Sequence, residues 1–430
     1  MTAVVTFGCA KDPLAAVKAL GWQAQQTPRG VKLVFSGTPP AQSADILERL
    51  HAPLDIRLTS VDRIPDFVGA LTRLSALDLR STSVSDLSPL RHRTSLTRLD
   101  LRFTRVADIA PLAELNALSA LELNSTPVSD ITPLADLKNL SVLDLSSTAV
   151  RDLSPLQNLT GLATLNLYRT PASDVSVLRG LKNLSKLDLG FTKVSDVSAL
   201  RGLRGLLSLD LSGTGVTDIA IVHDLRALTR LDAGSTRVTD LAPLASLLAL
   251  TTLYLPQTPV SDISPLAGLT NLAALDLRET AVRDVSPLKH LRALTTLHLA
   301  GTPVEDISTL SSLEGLNTLG LSHTLVRDLS PIKGMSKLSD LDVSATRVTD
   351  ITPLAALPNL TTLDLSATGV SDLRPLRGLN TLANLDLRAT RVRDISPLGG
   401  LTFLSSLDIT STPVTDVSPL KGLAYLDLRR

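Results

Sequence analysis

The chain has 430 residues, of which 43% are hydrophobic but only 2% are aromatic, and its 42 Lys and Arg residues balance its 42 Asp and Glu residues. The core must therefore be aliphatic, and no net charge draws the chain towards nucleic acid or an anionic membrane. The single cysteine, Cys9, excludes an intramolecular disulfide framework. No apolar run approaches the roughly 20 residues that span a bilayer, so we expect no membrane partner. Because the charge is balanced, we also expect no nucleic-acid partner.

Residues 1–30 do not repeat, and we interpret them as an N-terminal cap that shields the first coil. Residues 3–7 are typical of a short strand. Asp12 followed by Pro13 predicts the start of a helix, with Asp12 as its N-cap and Gly21 just beyond its end. A Pro-Arg-Gly turn then closes the segment.

Residues 31–76 hold two degenerate initial repeats. Residues 33–38 have the leucine and threonine spacing of the later repeats, with Phe35 in one leucine position. Ile56–Leu58 is typical of a second strand, and Ser43–His51 predicts a helix on the outer side between the two.

Sixteen consecutive copies of a 22-residue unit follow, the first beginning at Leu77 and the last at Leu407. Each copy carries a Thr five residues after its first leucine and an Asp nine residues after it. Residues 77–430 therefore comprise sixteen regular units and a shortened last one. A fixed period of 20–50 residues predicts a solenoid of stacked coils, in which each coil contacts its neighbours.

Each part of the unit has a predicted role in the coil. Leu143 and Leu145 alternate with polar residues and predict a short strand with both leucines on one side. We expect the buried hydroxyl of Thr148 to bridge neighbouring coils. Asp152 is interpreted as a turn cap, and Ser154 as the N-cap before a Pro that occurs in twelve of the sixteen copies.

The skeleton LxxLxxLxLxxTxVxD[IL]xPL resembles the 22-residue leucine-rich repeats of internalin-like bacterial proteins over about residues 31–430. This resemblance implies an α/β solenoid. Its form would be a right-handed arc with a parallel β-sheet on the concave face, short 3₁₀ or helical turns on the convex face, and partner proteins bound on the strands. The family's usual turn Asn is Thr here. No secretion signal or wall anchor is visible, so the surface role of internalins is not implied.

The residue between the two strand leucines is acidic in twelve of the sixteen copies. Flanking cations such as Arg80, Arg102 and Arg388 can offset this charge. A solvated, screened surface is the simplest interpretation of the column, and a basic peptide or protein ligand is an alternative. A row of Ca²⁺ ions is the third, although stacked single carboxylates supply few of the six to eight oxygens that Ca²⁺ takes.

Four copies interrupt the acidic column, and aromatic residues concentrate on the same concave surface. The interruptions are Asn166, Tyr254, His298 and Gly320. Because Tyr and Arg anchor many protein interfaces, we predict two binding patches, one in the copies at Leu165 and Leu187 and one in the copies from Leu253 to Leu319. The candidate binding residues are Asn166, Tyr168, Arg169, Lys186, Phe191, Tyr254, Gln257, Arg278, Glu279, His298 and His323.

Motifs of catalytic chemistry do not occur. There is no nucleotide-binding loop, nucleophile elbow or HExxH, so we predict no enzyme activity, no catalytic residue and no cofactor. His298 and His323 lie in adjacent copies but lack a third ligand for zinc, so no metal site is predicted. No neighbouring histidine or basic cluster would lower the thiol pKa of Cys9.

These patterns predict a non-catalytic scaffold that binds a protein or peptide on its strands, and the resemblance implies a bacterial source. One alternative is a specificity or adaptor module of an effector or ligase-type system that acts in a host cell. Another is self-assembly through the last strand, Leu426–Leu428, whose edge is guarded only by Arg429 and Arg430. We expect a cytoplasmic location, because no signal peptide or transmembrane segment is visible, and a signal-less secretion route is compatible with this.

Overall fold

The computed structural model describes residues 13–423 and 425–430, and the chain divides into two compact units, Met1–Leu206 and Leu207–Arg430. In both units a short strand, a tight turn and a 3₁₀ helix recur once per repeat. From the second strand onwards, neighbouring strands within each unit are parallel, so the predicted solenoid with an open parallel sheet and 3₁₀ turns is confirmed. The interpretations of residues 3–7, of Cys9 and of Asp12 as an N-cap lie outside the described residues.

The described part of the first unit contains two α-helices, nine strands and seven 3₁₀ helices. The α-helices are α1 (Pro13–Ala19) and α2 (Ser43–Glu48). The strands are β1 (Gln23–Thr27), β2 (Gly30–Ser36), β3 (Leu54–Thr59), β4 (Leu74–Asp78), β5 (Arg98–Asp100), β6 (Ala120–Glu122), β7 (Val142–Asp144), β8 (Thr164–Asn166) and β9 (Lys186–Asp188). The 3₁₀ helices are Asp66–Ala70, Ser88–Leu90, Ala110–Leu112, Thr132–Leu134, Ser154–Asn158, Ser176–Gly180 and Ser198–Leu200.

The described part of the second unit contains eleven strands and ten 3₁₀ helices. The strands are β10 (Ser208–Asp210), β11 (Arg230–Asp232), β12 (Thr252–Tyr254), β13 (Ala274–Asp276), β14 (Thr296–His298), β15 (Thr318–Gly320), β16 (Asp340–Asp342), β17 (Thr362–Asp364), β18 (Asn384–Asp386), β19 (Ser406–Asp408) and β20 (Asp427–Arg429). The 3₁₀ helices are Ala220–Asp224, Ala242–Ser246, Ser264–Leu266, Ser286–His290, Ser308–Ser312, Ser330–Ile332, Thr352–Ala356, Arg374–Leu376, Ser396–Leu398 and Ser418–Leu420.

The sheet of the first unit begins before the regular repeats. Helix α1 starts at Pro13 as predicted, and β1 and β2 form an antiparallel hairpin around the predicted turn. Strands β2, β3 and β4 then pair in parallel, which places Leu33 opposite Ile56 and Ile56 opposite Leu77. The core column of the repeats therefore extends back to Leu33. The proposed boundaries after residues 30 and 76 remain predictions, whereas the compact units divide within the regular repeats.

The core is an aliphatic ladder in which equivalent positions of successive coils stack. Leu121, Leu143 and Leu165 lie opposite one another in neighbouring strands, and all three are buried. Val150 and Leu156 complete the interior of their coil and are also fully buried. Since each buried leucine contributes about 1.5–3 kcal/mol, the core supports every coil in the same way and marks no coil as a functional site.

The buried Thr of each repeat closes its own turn. Thr148 Oγ1 donates to the Leu145 carbonyl at 2.6 Å, and the same bond recurs along the column. The predicted Thr bridge between coils is therefore wrong. The coils are joined at this bend by the backbone, since the Ser147 N–H donates to the Tyr168 carbonyl at 2.7 Å.

The Asp nine residues after the first leucine caps the 3₁₀ helix, as predicted. Asp152 Oδ1 accepts from the Ser154 N–H at 2.8 Å, and an equivalent bond occurs in all sixteen copies. The N-cap role predicted for Ser154 is wrong, because Ser154 is the first residue of the 3₁₀ helix. The bonds from the serine two residues on hold the pKa of Asp86 and Asp262 below the ordinary aspartate value.

Candidate binding site on the strand face

The strand face, formed by the residue before the first leucine, the residue between the leucines and the two residues that follow, is shaped by a repeated turn. The fourth residue after the first leucine has a left-handed backbone in all sixteen copies, with φ between 51° and 70°. Gly occupies this left-handed position only twice, and for other residues the conformation costs on the order of 1 kcal/mol. Five predicted binding residues lie there: Arg169, Phe191, Gln257, Glu279 and His323.

The acidic column holds the turn that leads to this left-handed position. Asp144 Oδ1 accepts from the Ser146 N–H at 2.8 Å, and this bond, termed here the Asx cap, occurs in twelve copies. The acidic column is therefore not explained by a solvated, screened surface alone, because its carboxylates also accept hydrogen bonds from the turn. Asn166 makes the same bond to the Tyr168 N–H at 2.9 Å, so Asn166 interrupts the charge of the column but not its cap.

Arginines offset some of the carboxylate charge, as predicted. The Arg102 guanidinium lies 2.7 Å from Asp100 and 2.8 Å from Glu122. In the second unit, Arg278 approaches the buried carboxylate of Asp276 to 2.7 Å. The hydrogen bonds to these carboxylates raise the pKa of both arginines. These arginines are therefore largely engaged within the chain.

Tyr254 interrupts the acidic column in a different setting. The Arg230 guanidinium lies 4.7 Å from the centroid of the Tyr254 ring, a cation–π distance. The position that the Asx cap serves in other copies is held here by Pro256. Proline has no N–H, so the loss of the carboxylate leaves no donor unpaired. Burial raises the pKa of the neighbouring Asp232 to about 6.

The first predicted patch forms a compact group, named here the aromatic cluster: Tyr168, Arg169 and Phe191. The Tyr168 and Phe191 rings meet edge to face with their centroids 5.5 Å apart. The Arg169 guanidinium lies 5.3 Å from the first ring centroid and 5.7 Å from the second. Phe191 keeps 49% of its surface exposed. Asn166 ends β8 beside this cluster, and Lys186 begins β9.

Part of the second predicted patch lines a depression of about 560 Å³, named here the histidine depression. Four predicted residues line it: Arg278, Glu279, His298 and His323. Asp340 and Asp342 also line it and were not predicted as binding residues. Asp342 belongs to the acidic column, whereas Asp340 is the only acid among the sixteen residues that precede a first leucine and was overlooked. The small residues Gly301 and Gly320 leave the space open.

Gly320 makes room for His298. A β-carbon at Gly320 would lie 2.9 Å from His298 Nδ1, closer than real contacts allow. The His298 imidazole also acts electrostatically on Asp340, whose pKa is raised by burial and by the charge of Asp342. Among the residues that the structure describes, no three His, Cys, Asp or Glu side chains are grouped to hold a metal ion.

Gln257 and Tyr254 do not line this depression, so the second predicted patch has separate parts. Ser235 Oγ donates to Gln257 Oε1 at 2.8 Å, and Gln257 Nε2 donates to Glu279 Oε2 at 2.9 Å. This ladder runs along the left-handed position of three coils and ends at the rim of the depression. It restrains Glu279 on one side of the opening.

No helix in the described part of the chain is long and apolar enough to cross a membrane. A scan of protein-family models gives no match, and a search among curated proteins gives none either. Similarity is found among solved structures. An internalin, InlF, from Listeria monocytogenes is 28% identical, with a TM-score of 0.61 over 74% of this chain and 87% of that chain.

Two further solved structures share the fold at lower identity. A leucine-rich-repeat protein of Leptospira interrogans is 20% identical, with a TM-score of 0.59 over 91% of this chain and 93% of that one. The plant peptide hormone receptor RGFR1, in complex with RGF2, is 18% identical, with a TM-score of 0.68 over 94% of this chain and 70% of that one. Together with the parallel strands, the 3₁₀ turns and the 22-residue period, these similarities show that the chain has the leucine-rich-repeat fold, with repeats like those of internalins.

Proposed function

We propose that the protein is a non-catalytic scaffold that binds a protein or peptide on its strand face. The observation that carries the proposal is the aromatic cluster of Tyr168, Arg169 and Phe191. Ten aromatic residues occur in the whole chain, and two of them meet here on the strand face with an arginine against both rings. Partly exposed aromatic and arginine side chains are the usual anchors of protein interfaces.

The cluster is also pre-ordered for binding. Arg169 and Phe191 are held at the left-handed position, and the Tyr168 N–H is fixed by Asn166. Side chains ordered before binding lose less conformational entropy in the complex, so the same contacts yield a higher affinity. A receptor with the same fold, RGFR1, is found in complex with RGF2, which supports a peptide as one class of ligand.

Two alternatives remain proposals. An adaptor or specificity module of an effector system would use the same strand face for its target, so the aromatic cluster favours neither over the other. Self-assembly would use the edge of β20, where Tyr425 is strongly exposed. A bacterial source and a cytoplasmic location also remain predictions.

Site-specific photo-crosslinking tests the proposed function. Phe191 is replaced by p-benzoylphenylalanine in the full chain, and Phe403 receives the same residue as a matched control. Phe403 is 70% exposed but lies between a 3₁₀ helix and β19, outside the strand face. We expect discrete crosslinked partners from position 191 that are absent from position 403. The same products from both positions, or from neither, would contradict a binding role of the cluster.

A further inference from the structure

Two adjacent coils of the second unit lack the Asx cap. Their inter-leucine residues are His298 and Gly320, and neither has a side-chain oxygen that could accept from the turn. The N–H groups that the cap would satisfy belong to Ala300 and Ser322. Within the described chain, neither of these N–H groups has a hydrogen-bond acceptor, and both residues line the histidine depression.

This arrangement differs from the other exceptions to the cap. Pro256 has no N–H to satisfy, and Asn124, which follows Glu122, lies between two capped coils. Ala300 and Ser322 hold equivalent positions in adjacent coils, so their N–H groups lie about one strand spacing apart, roughly 4.8 Å. The depression therefore presents a pair of backbone donors where twelve other coils place their own side-chain oxygen. Because the chain gives these donors no acceptor, an acceptor oxygen of a ligand can pair with them in place of water.

The charges around the depression restrict what that ligand can be. No Lys or Arg of the described chain lies within ion-pair distance of Asp340 or Asp342, and Arg278 is engaged by Asp276. Glu279 adds a further carboxylate at the rim. A ligand carboxylate would therefore meet like charge, whereas a neutral carbonyl oxygen would not. A cationic side chain on the same ligand would complement the two aspartates.

We propose that the histidine depression binds an extended peptide segment that carries a Lys or Arg. Main-chain carbonyls of the segment accept hydrogen bonds from the Ala300 and Ser322 N–H groups, and its cationic side chain pairs with Asp340 and Asp342. The proposal rests on the proposed function, of which it names a second surface and the chemistry of its ligand. It assigns no role to the aromatic cluster.

Restoring the cap tests the role of the backbone donors. His298→Asp and Gly320→Asp, made together, give both coils the inter-leucine Asp that eleven of the twelve capped coils carry. The added oxygens satisfy the Ala300 and Ser322 N–H groups, and the side chain at position 320 fills the depression. We expect the double variant to unfold at a higher temperature than the wild type, because the cap is gained, and yet to lose the peptide. A purely structural role would not change stability and binding in opposite directions.

The probe is a random peptide display library selected on the full-length wild-type chain. We expect enriched peptides with Lys or Arg, and a fall in their binding by about tenfold or more in the double variant, since two hydrogen bonds are lost. Asp342→Asn retains the cap to Ser344, as Asn166 does for Tyr168, and removes only charge. Asp342→Asn should weaken the binding of peptides with Lys or Arg and leave the binding of other peptides unchanged. Asp210→Asn, at the same position of a distant coil, is the matched control and should bind them as the wild type does.

The outcomes separate the two proposals. Enriched peptides without basic residues, or basic peptides that bind the double variant as well as the wild type, would overturn the assignment of the depression. If such peptides still need Phe191, the binding scaffold stands and only its second surface is wrong. If no enriched peptide depends on either surface, both proposals fail.

Discussion

The aromatic cluster of the first unit and the histidine depression of the second are made from the same 22-residue coil by opposite changes. In the first, Asn166 keeps the Asx cap without its charge, and the left-handed residues Arg169 and Phe191 carry large side chains. In the second, His298 and Gly320 remove the cap, and small residues open the surface. The Asx cap is kept where large residues at the left-handed position form a cluster, and it is lost where small residues open the surface.

The largest expected effect concerns the turns beneath the two surfaces. Thr170 Oγ1 donates to the Leu167 carbonyl at 2.7 Å, and Thr302 Oγ1 donates to the Leu299 carbonyl at 2.6 Å. In the coil of Thr170 the Asx cap also holds the turn, whereas the coil of Thr302 has no Asx cap. We expect Thr170→Val to lower the free energy of unfolding by about 1 kcal/mol and Thr302→Val by about 2 kcal/mol. Urea unfolding measures both. Equal costs would show that the cap does not support the turn.

The cap beside the aromatic cluster can be removed directly. Asn166→Ala deletes the acceptor of the Tyr168 N–H, and we expect a loss of about 1 kcal/mol, as for other capping side chains. Asn166→Asp restores the residue of most other copies, keeps the bond, and should change the free energy of unfolding by a few tenths of a kcal/mol at most. Hydrogen exchange at the Tyr168 amide should accelerate only in the alanine variant. Unchanged exchange would show that another group protects this amide.

A capping carboxylate is not equally favourable in every coil, because some are desolvated. Burial raises the pKa of Asp232 to about 6 in the folded chain, above the ordinary value of 3.8. The folded state then binds the proton more tightly than the unfolded state does, so the charged carboxylate lowers stability above about pH 6 and ceases to do so as the pH falls towards 4.

Asp232→Asn keeps an acceptor for the Gly234 N–H and removes this charge. We expect the variant to have a higher Tm than the wild type at neutral pH, and the gain to shrink to nothing as the pH is lowered from about 6 to about 4. Thermal unfolding followed by circular dichroism across this range provides the measurement. A gain that does not depend on pH would assign the effect to packing under Tyr254 rather than to the carboxylate.

How far the sequence predicts the molecule depends on whether a residue acts locally or across coils. The strand leucines, the buried Thr and the capping role of Asp152 follow from spacing within one repeat, and the structure confirms their places. The bond of Thr148 to its own turn was missed, since spacing alone does not show which carbonyl lies nearest. The left-handed position had a signal in the sequence: it is never Val, Ile or Thr, the β-branched residues that this backbone disfavours most.

The candidate surfaces were predictable only in part for the same reason. Tyr168, Arg169 and Phe191 depart from the repeat, so they could be selected before their contacts were known. Asp342 lies at the depression although it follows the acidic column, whereas Asp340 departs from the repeat as the only acid before a first leucine and could have been selected. Their place beside an open depression depends on the small residues Gly301 and Gly320 of the two preceding coils, so it is a property of three coils together. A missing side chain in one coil changes the surroundings of a repeated residue in the next coil.

The smallest expected effect distinguishes backbone strain at the left-handed position from the side-chain contact that a residue there makes. Phe103 and Phe191 both occupy it, with φ of 57° and 55°, and are 58% and 49% exposed. Only Phe191 forms a ring pair. Replacing Phe103 with Gly relieves a strained backbone, so we expect a gain of about 0.5–1 kcal/mol in the free energy of unfolding. Phe191→Gly relieves the same strain but loses the contact with Tyr168, worth about 0.5–1.5 kcal/mol, so its net effect should be close to zero. Equal gains in urea unfolding would mean that the Tyr168 and Phe191 rings do not stabilise each other in the free protein, and that the aromatic cluster is ordered by its partner rather than before binding.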